Sequence, residues 1–316
     1  MQVCNRLSNA MRITAISRIA CGVIAASSLF SSAAMNSTPG GETRNDVFDR
    51  LLTKGGLPGA RDAALPKPTM ADGLDRSGQR EAIARIADPN HPIEALERPL
   101  VVAPFVLKIS GDDEKSATLR RIDLWFIAYG KLDRLADESF WKSARESFSG
   151  GEKENRELST TRIGILSADE LKTRGLKDPE TEKHLTADMT LFNRVRICAT
   201  MQAIQTRSAD SLVLAAMLDP RFADDEQFPN CWRPISRDDN GRQHIGAAQP
   251  YRTAGWYCKA TQLHEPAGAL FVEYHVLFDE PVGWFNGANL LRSKLPMVVQ
   301  EGVRKFRRQL EHAAAR

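Results

Sequence analysis

The sequence is poor in the residues that mark most catalytic and metal-binding chains. It has five cysteines in 316 residues and no CxxC pair, too few for a disulfide scaffold and without the spacing of a zinc ribbon. Its six histidines (His91, His184, His244, His264, His275, His312) include no helical i,i+4 pair and no HExxH, so no metal motif is present and no metal site is assigned. GxGxxG, the Walker GxxxxGK[ST] and GxSxG are all missing, which removes the motif grounds for dinucleotide binding, phosphate cradling and a serine nucleophile elbow. No cofactor is expected. The segment SRDDNGRQH around Asp238–Gly241 resembles a calcium loop until position 12, where Ala247 stands in place of the required Glu. It is read as a plain turn.

Negative charge is absent from residues 1–34, whose only charges are Arg6, Arg12 and Arg18. The run Ile19–Phe30 is apolar or small, and Ser32, Ala33 and Ala34 follow it. A basic flank, a short apolar core and a small-residue exit make a cleavable secretory signal, cut after Ala34. The core is 12 residues, short of the roughly 20 that span a bilayer, so an uncleaved anchor is the weaker reading. Cys21 sits too early in the core for a lipoprotein site, and Met11 offers a more compact start. The expected location is the periplasm or the extracellular space, with no transmembrane helix after cleavage.

Removing three of the 43 Lys and Arg leaves 40 against 40 Asp and Glu. A formally neutral chain lacks the cation surplus that sequence-independent nucleic-acid binding requires, so no nucleic-acid partner is expected. The cut also removes Cys4 and Cys21. The remaining Cys198, Cys231 and Cys258 allow one disulfide and one leftover thiol. Residues 35–41 form a spacer, and 42–316 read as a single α+β domain.

Within that domain, Glu42–Lys54 and Asp75–Ile86 read as short helices separated by a Gly/Pro-rich loop. About seven strands follow: Pro99–Ile109, Leu119–Tyr129, Thr160–Leu166, Asn193–Gln205, Ser211–Leu218, Thr253–Leu263 and Leu270–Phe278. Lys131–Phe148 has helical spacing, Ser167 opens a short helix, and 220–250 reads mostly as loop. Leu295, Val298, Val299, Val303, Phe306 and Leu310 recur at helical spacing, with Pro296 placed in that helix's first turn. Hairpin-linked strands predict a mostly antiparallel, curved sheet with the long terminal helix packed on it.

Leu270–Leu310 ends on a strand, a turn containing Asp279, Pro281, Gly283, Trp284 and Asn286, and a long helix with Pro296 near its start. It resembles the end of START-like (helix-grip) lipid-binding domains. The stretch LVVAPFVLKI…RRIDLWFIAYGKLDRLA is similar to secreted bacterial proteins with no assigned activity. The helix-grip resemblance implies a sheet gripping its last helix around an apolar cavity, with an apolar small molecule or lipid as partner. It carries no catalytic residues.

The candidate cavity wall is Trp125, Phe126, Tyr129, Trp256, Tyr274 and Trp284, residues that ordinary core packing would also use. A competing reading is an envelope hydrolase. If the last hairpin turns at Glu265–Gly268, Cys258 faces His275 across the strands, and Glu273 could orient the imidazole. A third reading is a structural or interaction protein with a filled core. Arg304, Lys305, Arg307 and Arg308 on the last helix read as a solvated face, or else as a contact with anionic lipid.

Overall fold

A computed structural model describes residues 44–111, 118–137, 140, 162–177, 181–282, 284–285 and 290–314. The leader, the spacer and most of the predicted Lys131–Phe148 helix lie outside these residues.

Among the described residues, eleven strands form one antiparallel sheet: β1 (Val106–Ser110), β2 (Leu119–Tyr129), β3 (Arg162–Ile165), β4 (Glu182–Leu191), β5 (Val195–Arg207), β6 (Ser211–Leu218), β7 (Cys231–Arg237), β8 (Gln243–Ile245), β9 (Gln249–Pro250), β10 (Ala254–Gln262) and β11 (Ala269–Asp279). The main order is β1-β2-β11-β10-β6-β5-β4-β3, while β7 pairs with β5 beyond the end of β6 and carries β8 and β9. The helices are α1 (Asp46–Leu51), α2 (Arg76–Ala84), α3 (Ile93–Leu96), α4 (Leu132–Leu135), α5 (Ala168–Lys172) and α6 (Leu290–Ala314). The architecture is the expected α+β sheet with a C-terminal helix.

The sheet exceeds the expected seven strands for two reasons. β4 alternates Leu185, Ala187, Met189 and Leu191 with charged and polar neighbours, but the nearby charges dilute its apolar signal. β7, β8 and β9 lie in the 220–250 stretch read as loop, and β8 and β9 are only three and two residues long. The Pro99–Ile109 strand is shorter than expected. Pro104 offers no N–H to a ladder, and β1 begins at Val106 on the sheet edge.

Sequence capping explains where several helices start. Asn45 Oδ1 accepts from Phe48 N at 2.9 Å to open α1, and its Nδ2 donates to Ile204 O, tying the helix to β5. Ser167 and Glu170 form a capping box at α5, as the serine predicts. Pro296 is seven residues into α6 rather than in its first turn. The helix thus loses one internal hydrogen bond there, and its many packed side chains offset that loss.

Both faces of the sheet are covered. On one side Ile122, Leu124, Phe126 and Ala128 of β2, with the matching parity of β5, β6, β10 and β11, meet Leu291, Leu295, Val298, Val299, Val303, Phe306 and Leu310 of α6. At the C-terminal end of α6 the layers close tightly, since a Cβ on Gly130 would stand 2.3 Å from Leu310. On the other side the N-terminal segment packs through Met70 and Ile83 against Trp125, Ile127 and Phe271. Val47, Leu51 and Leu57 pack against Ala215, Met217 and Tyr257. This double coverage explains why ten of the eleven β11 residues are buried; strands covered on both faces read as continuous apolar runs.

Candidate functional site

The sheet separates the sequence-derived site residues by parity, because successive side chains on a strand point to opposite faces. Phe126, Trp256, Tyr274 and Trp284 lie on the α6 side. Trp125 and Tyr129 do not join them. Trp125 belongs to the opposite cluster, where its Nε1 donates to Thr69 Oγ1 at 3.0 Å, and the Tyr129 hydroxyl donates to Glu97 O. A cavity wall containing both Trp125 and Phe126 is thus excluded by adjacency alone.

On the α6 side, closure is uneven. Along β11 the exposure of inward residues climbs from 0% at Leu270 to 9% at Phe278, away from the tight end of α6. Cys258 lies between β6 and β11 on the same side, yet is only partly buried. A side chain flanked by strands on both sides keeps that access only where the overlying layer does not seal it. Cys258 is the cross-strand neighbour of Tyr274, whose ring lies 5.7 Å from that of Trp256. The Tyr274 hydroxyl and Trp284 Nε1 are buried without a hydrogen-bond partner among the described residues. Trp284 lies among Tyr251, Phe278, Trp232 and Phe285, with ring centroids 5.6–6.4 Å apart. Among the described residues this region is therefore largely aromatic, and Tyr274 Oη and Trp284 Nε1 find no partner in it.

The Cys258–His275 pairing does not form. The last hairpin is one residue longer than expected: Leu263 N donates to Ala269 O at 2.9 Å, and β11 pairs His275 with Tyr257 and Tyr274 with Cys258. A one-residue shift moves a side chain to the opposite face, so thiol and imidazole are separated by the sheet. Burial also pushes the Cys258 thiol up to about 12, leaving it protonated at neutral pH.

His275 does meet Glu273, but in a buried cluster beneath the N-terminal segment. His275 Nδ1 lies 2.8 Å from Asp123 Oδ1, and Nε2 lies 3.3 Å from Glu273 Oε2. Glu273 also accepts from Thr69 N at 2.7 Å and Met70 N at 3.3 Å. Lys259, paired with Glu273 across the strands, donates to Met70 O at 2.6 Å and meets Asp72 at 2.7 Å. Asp123, Glu273, Lys259 and His275 are each at most 4% exposed. With Asp72 and with Arg121, whose Nε donates to Asp123 Oδ2 at 2.9 Å, three anions and three cations balance when His275 is protonated, and the group clamps residues 69–72 to the sheet.

The sequence signal for this clamp is Glu273 and His275 two apart in an otherwise apolar strand. Asp123, Lys259 and the loop amides required the fold. Among the described residues no group of three or more His, Cys, Asp or Glu is arranged to hold a metal.

Burial alone would lower the His275 pKa, but its hydrogen bonds with Asp123 and Glu273 raise it on balance. A raised folded-state value means the stabilisation is fully present below the unfolded value, about 6.5, and is lost as pH rises through the folded value. Urea midpoints measured upward from pH 6 should therefore fall with pH. A flat profile would refute this, and the same fall in His275→Gln would assign the dependence elsewhere.

The helix cations are not one solvated face. Arg308 is exposed and Arg304 half-buried, but Arg307 is buried at 3% exposure. Among the described residues, no helix is long and apolar enough to cross a membrane.

No family model matches the chain, and no curated protein matches it. Similar solved structures at low identity include the following. The human StarD13 (DLC2) lipid transfer and protein localization domain shares 6% identity at a TM-score of 0.38, over 76% of this chain and 98% of that one. Human STARD10 shares 8% at 0.36, over 78% and 87%. An uncharacterized protein from Rhizobium leguminosarum shares 11% at 0.31, over 61% and 97%. The likeness to START-domain structures is weak.

Proposed function

We propose that this chain is an exported, non-catalytic protein that binds an apolar small molecule or lipid between the sheet and α6, working in the cell envelope. The observation that carries the reading is the pair of buried polar atoms, Tyr274 Oη and Trp284 Nε1, in an apolar layer that closes incompletely around Cys258. A buried polar group without a partner costs about 1–3 kcal/mol. A ligand with an apolar body and one hydrogen-bonding end would cover the apolar walls and supply the missing partner. Export rests on the leader pattern of residues 1–34.

Native mass spectrometry of the protein recovered from the envelope fraction of its producing cells tests this directly. The expected species begins at Met35 and carries a bound lipid or apolar metabolite. After delipidation the protein should take up a fluorescent fatty acid, and Tyr274→Phe should weaken that uptake about 3- to 10-fold, the value of one net hydrogen bond. A ligand-free protein that takes up neither fatty acid nor phospholipid probes would overturn the reading.

A further inference from the structure

Cys198 on β5 and Cys231 on β7 are directly opposed in register. Ile235 N donates to Arg194 O at 2.7 Å, which makes that opposed pair a hydrogen-bonded one. Hydrogen-bonded pairs recur every second residue, so Cys198 and Cys231 form another, with Cα atoms about 5.5 Å apart. A disulfide spans Cα separations of about 4.4–6.8 Å. Cys198 Sγ lies 3.8 Å from Asp188 Oδ1, and both thiols are free in this structure. Cys231 is the first residue of β7 and is also paired with Pro250 of β9. Just before it, Asn230 anchors the strand start by accepting from Thr200 N at 2.6 Å and donating to Asp219 O at 2.7 Å. Cys258 has no access to this pair. Alternation places Cys198 on the face away from α6, since Ile197 and Ala199 face the helix, whereas Cys258 is on the helix side.

We propose that Cys198 and Cys231 close to an intramolecular disulfide when the protein meets a thiol–disulfide oxidant such as oxidised glutathione, leaving Cys258 as the free thiol. The half-buried Cys198 gives up its proton and its sulfur attacks the oxidant's disulfide, releasing one reduced thiol and forming a mixed disulfide. Cys231 then loses its proton and attacks the Cys198 sulfur, releasing the second reduced thiol. The protein is oxidised by two electrons and the oxidant is reduced by two. Burial, with Asp188 beside it, pushes the Cys198 thiol up to about 12, so closure should be slow at neutral pH and accelerate about tenfold per pH unit. Once formed, the bond staples the β7–β9 flap to the main sheet.

The test incubates the reduced chain from Met35 to Arg316, in which Cys198, Cys231 and Cys258 are the cysteines, with oxidised glutathione, quenches in acid, alkylates in denaturant and maps the peptides without reduction. The expected product has lost two hydrogens, contains one linked pair, Cys198–Cys231, and carries its alkyl label on Cys258. Its thermal midpoint should rise by about 5 °C or more, from the restricted unfolded chain. Cys198→Ser should show neither the link nor the shift. Three alkylated thiols, a link that includes Cys258, or a glutathione adduct on Cys198 that never closes would each overturn the proposal.

Discussion

Glu273→Ala is expected to lower the unfolding free energy by about 3–5 kcal/mol, the range for removing one partner of a buried ion pair. Glu273 is fully buried. Its carboxylate accepts from two loop amides, Thr69 N and Met70 N, and faces the His275 imidazole. Truncation leaves both amides without that acceptor, each costing about 1–3 kcal/mol when buried. It also leaves the cations of His275 and Lys259 facing one fewer anion in a low-dielectric layer, and opens a void. Part of this is recovered if residues 69–72 detach and hydrate, so protease sensitivity should rise there first. Glu273→Gln keeps the shape and one acceptor oxygen, and should cost less than the alanine. Urea denaturation read by tryptophan fluorescence checks the ordering. A loss under about 1 kcal/mol for alanine would mean that the clamp adds little to the apolar packing of Met70 and Ile83.

Arg307→Ala should cost about 3–5 kcal/mol by the same measurement, a range set by charge-assisted hydrogen bonds to buried acceptors. The position reads from sequence as one of four cations on a surface helix, yet its guanidinium serves the sheet edge. β1 ends its pairing with β2 at Val106 opposite Trp125, so beyond that point β2 has β11 on one edge and no strand on the other. Arg307 Nε donates to Ile127 O at 2.8 Å in that gap. Its terminal nitrogens donate to Val101 O at 3.2 Å, Pro104 O at 3.0 Å and Ala103 O. The guanidinium also lies 5.6 Å from the Phe126 ring centroid. Burial pulls its pKa down to about 10, still charged at neutral pH. Three carbonyls from the segment before β1 and one from β2 therefore converge on a single side chain of α6. Arg307→Lys keeps the charge but not the planar fork that reaches several acceptors, and should fall between wild type and alanine. Equal stability of Arg307→Ala and wild type would show that water replaces the side chain without loss.

The two predictions concern residues that the sequence showed in different degrees. Glu273 and His275 stood out as charges within LFVEYHVLFD, and their mutual contact follows from their i,i+2 spacing on one strand. Arg307 carried no such mark, because its neighbours Arg304, Lys305 and Arg308 make a cationic helix end that looks ordinary. The candidate ligand wall was legible in part. Phe126, Trp256, Tyr274 and Trp284 do share a layer, while Trp125 and Tyr129 were lost to the opposite face by strand parity.

The sequence by itself determined what depends on local chemistry. The alternation in β2 and β5, the Asn45 and Ser167 caps, the turn after β5 and the apolar stripe of α6 arise from interactions between residues a few positions apart. The antiparallel α+β class follows from hairpin-linked strands closed by one amphipathic helix. Tertiary structure alone decided what depends on distant partners. One extra loop residue in the β10–β11 hairpin put Cys258 and His275 on opposite faces, because a side chain's face reverses with each step of register. The return of residues 69–72 across the sheet turned His275 and Glu273 from a possible catalytic pair into a buried clamp. Pairing of β5 with β7, which brings Cys198 to Cys231 from 33 positions away, was likewise outside any local pattern. Periodicity assigns a side chain to one face of its own strand; which segment covers that face is set by the packing of the whole chain.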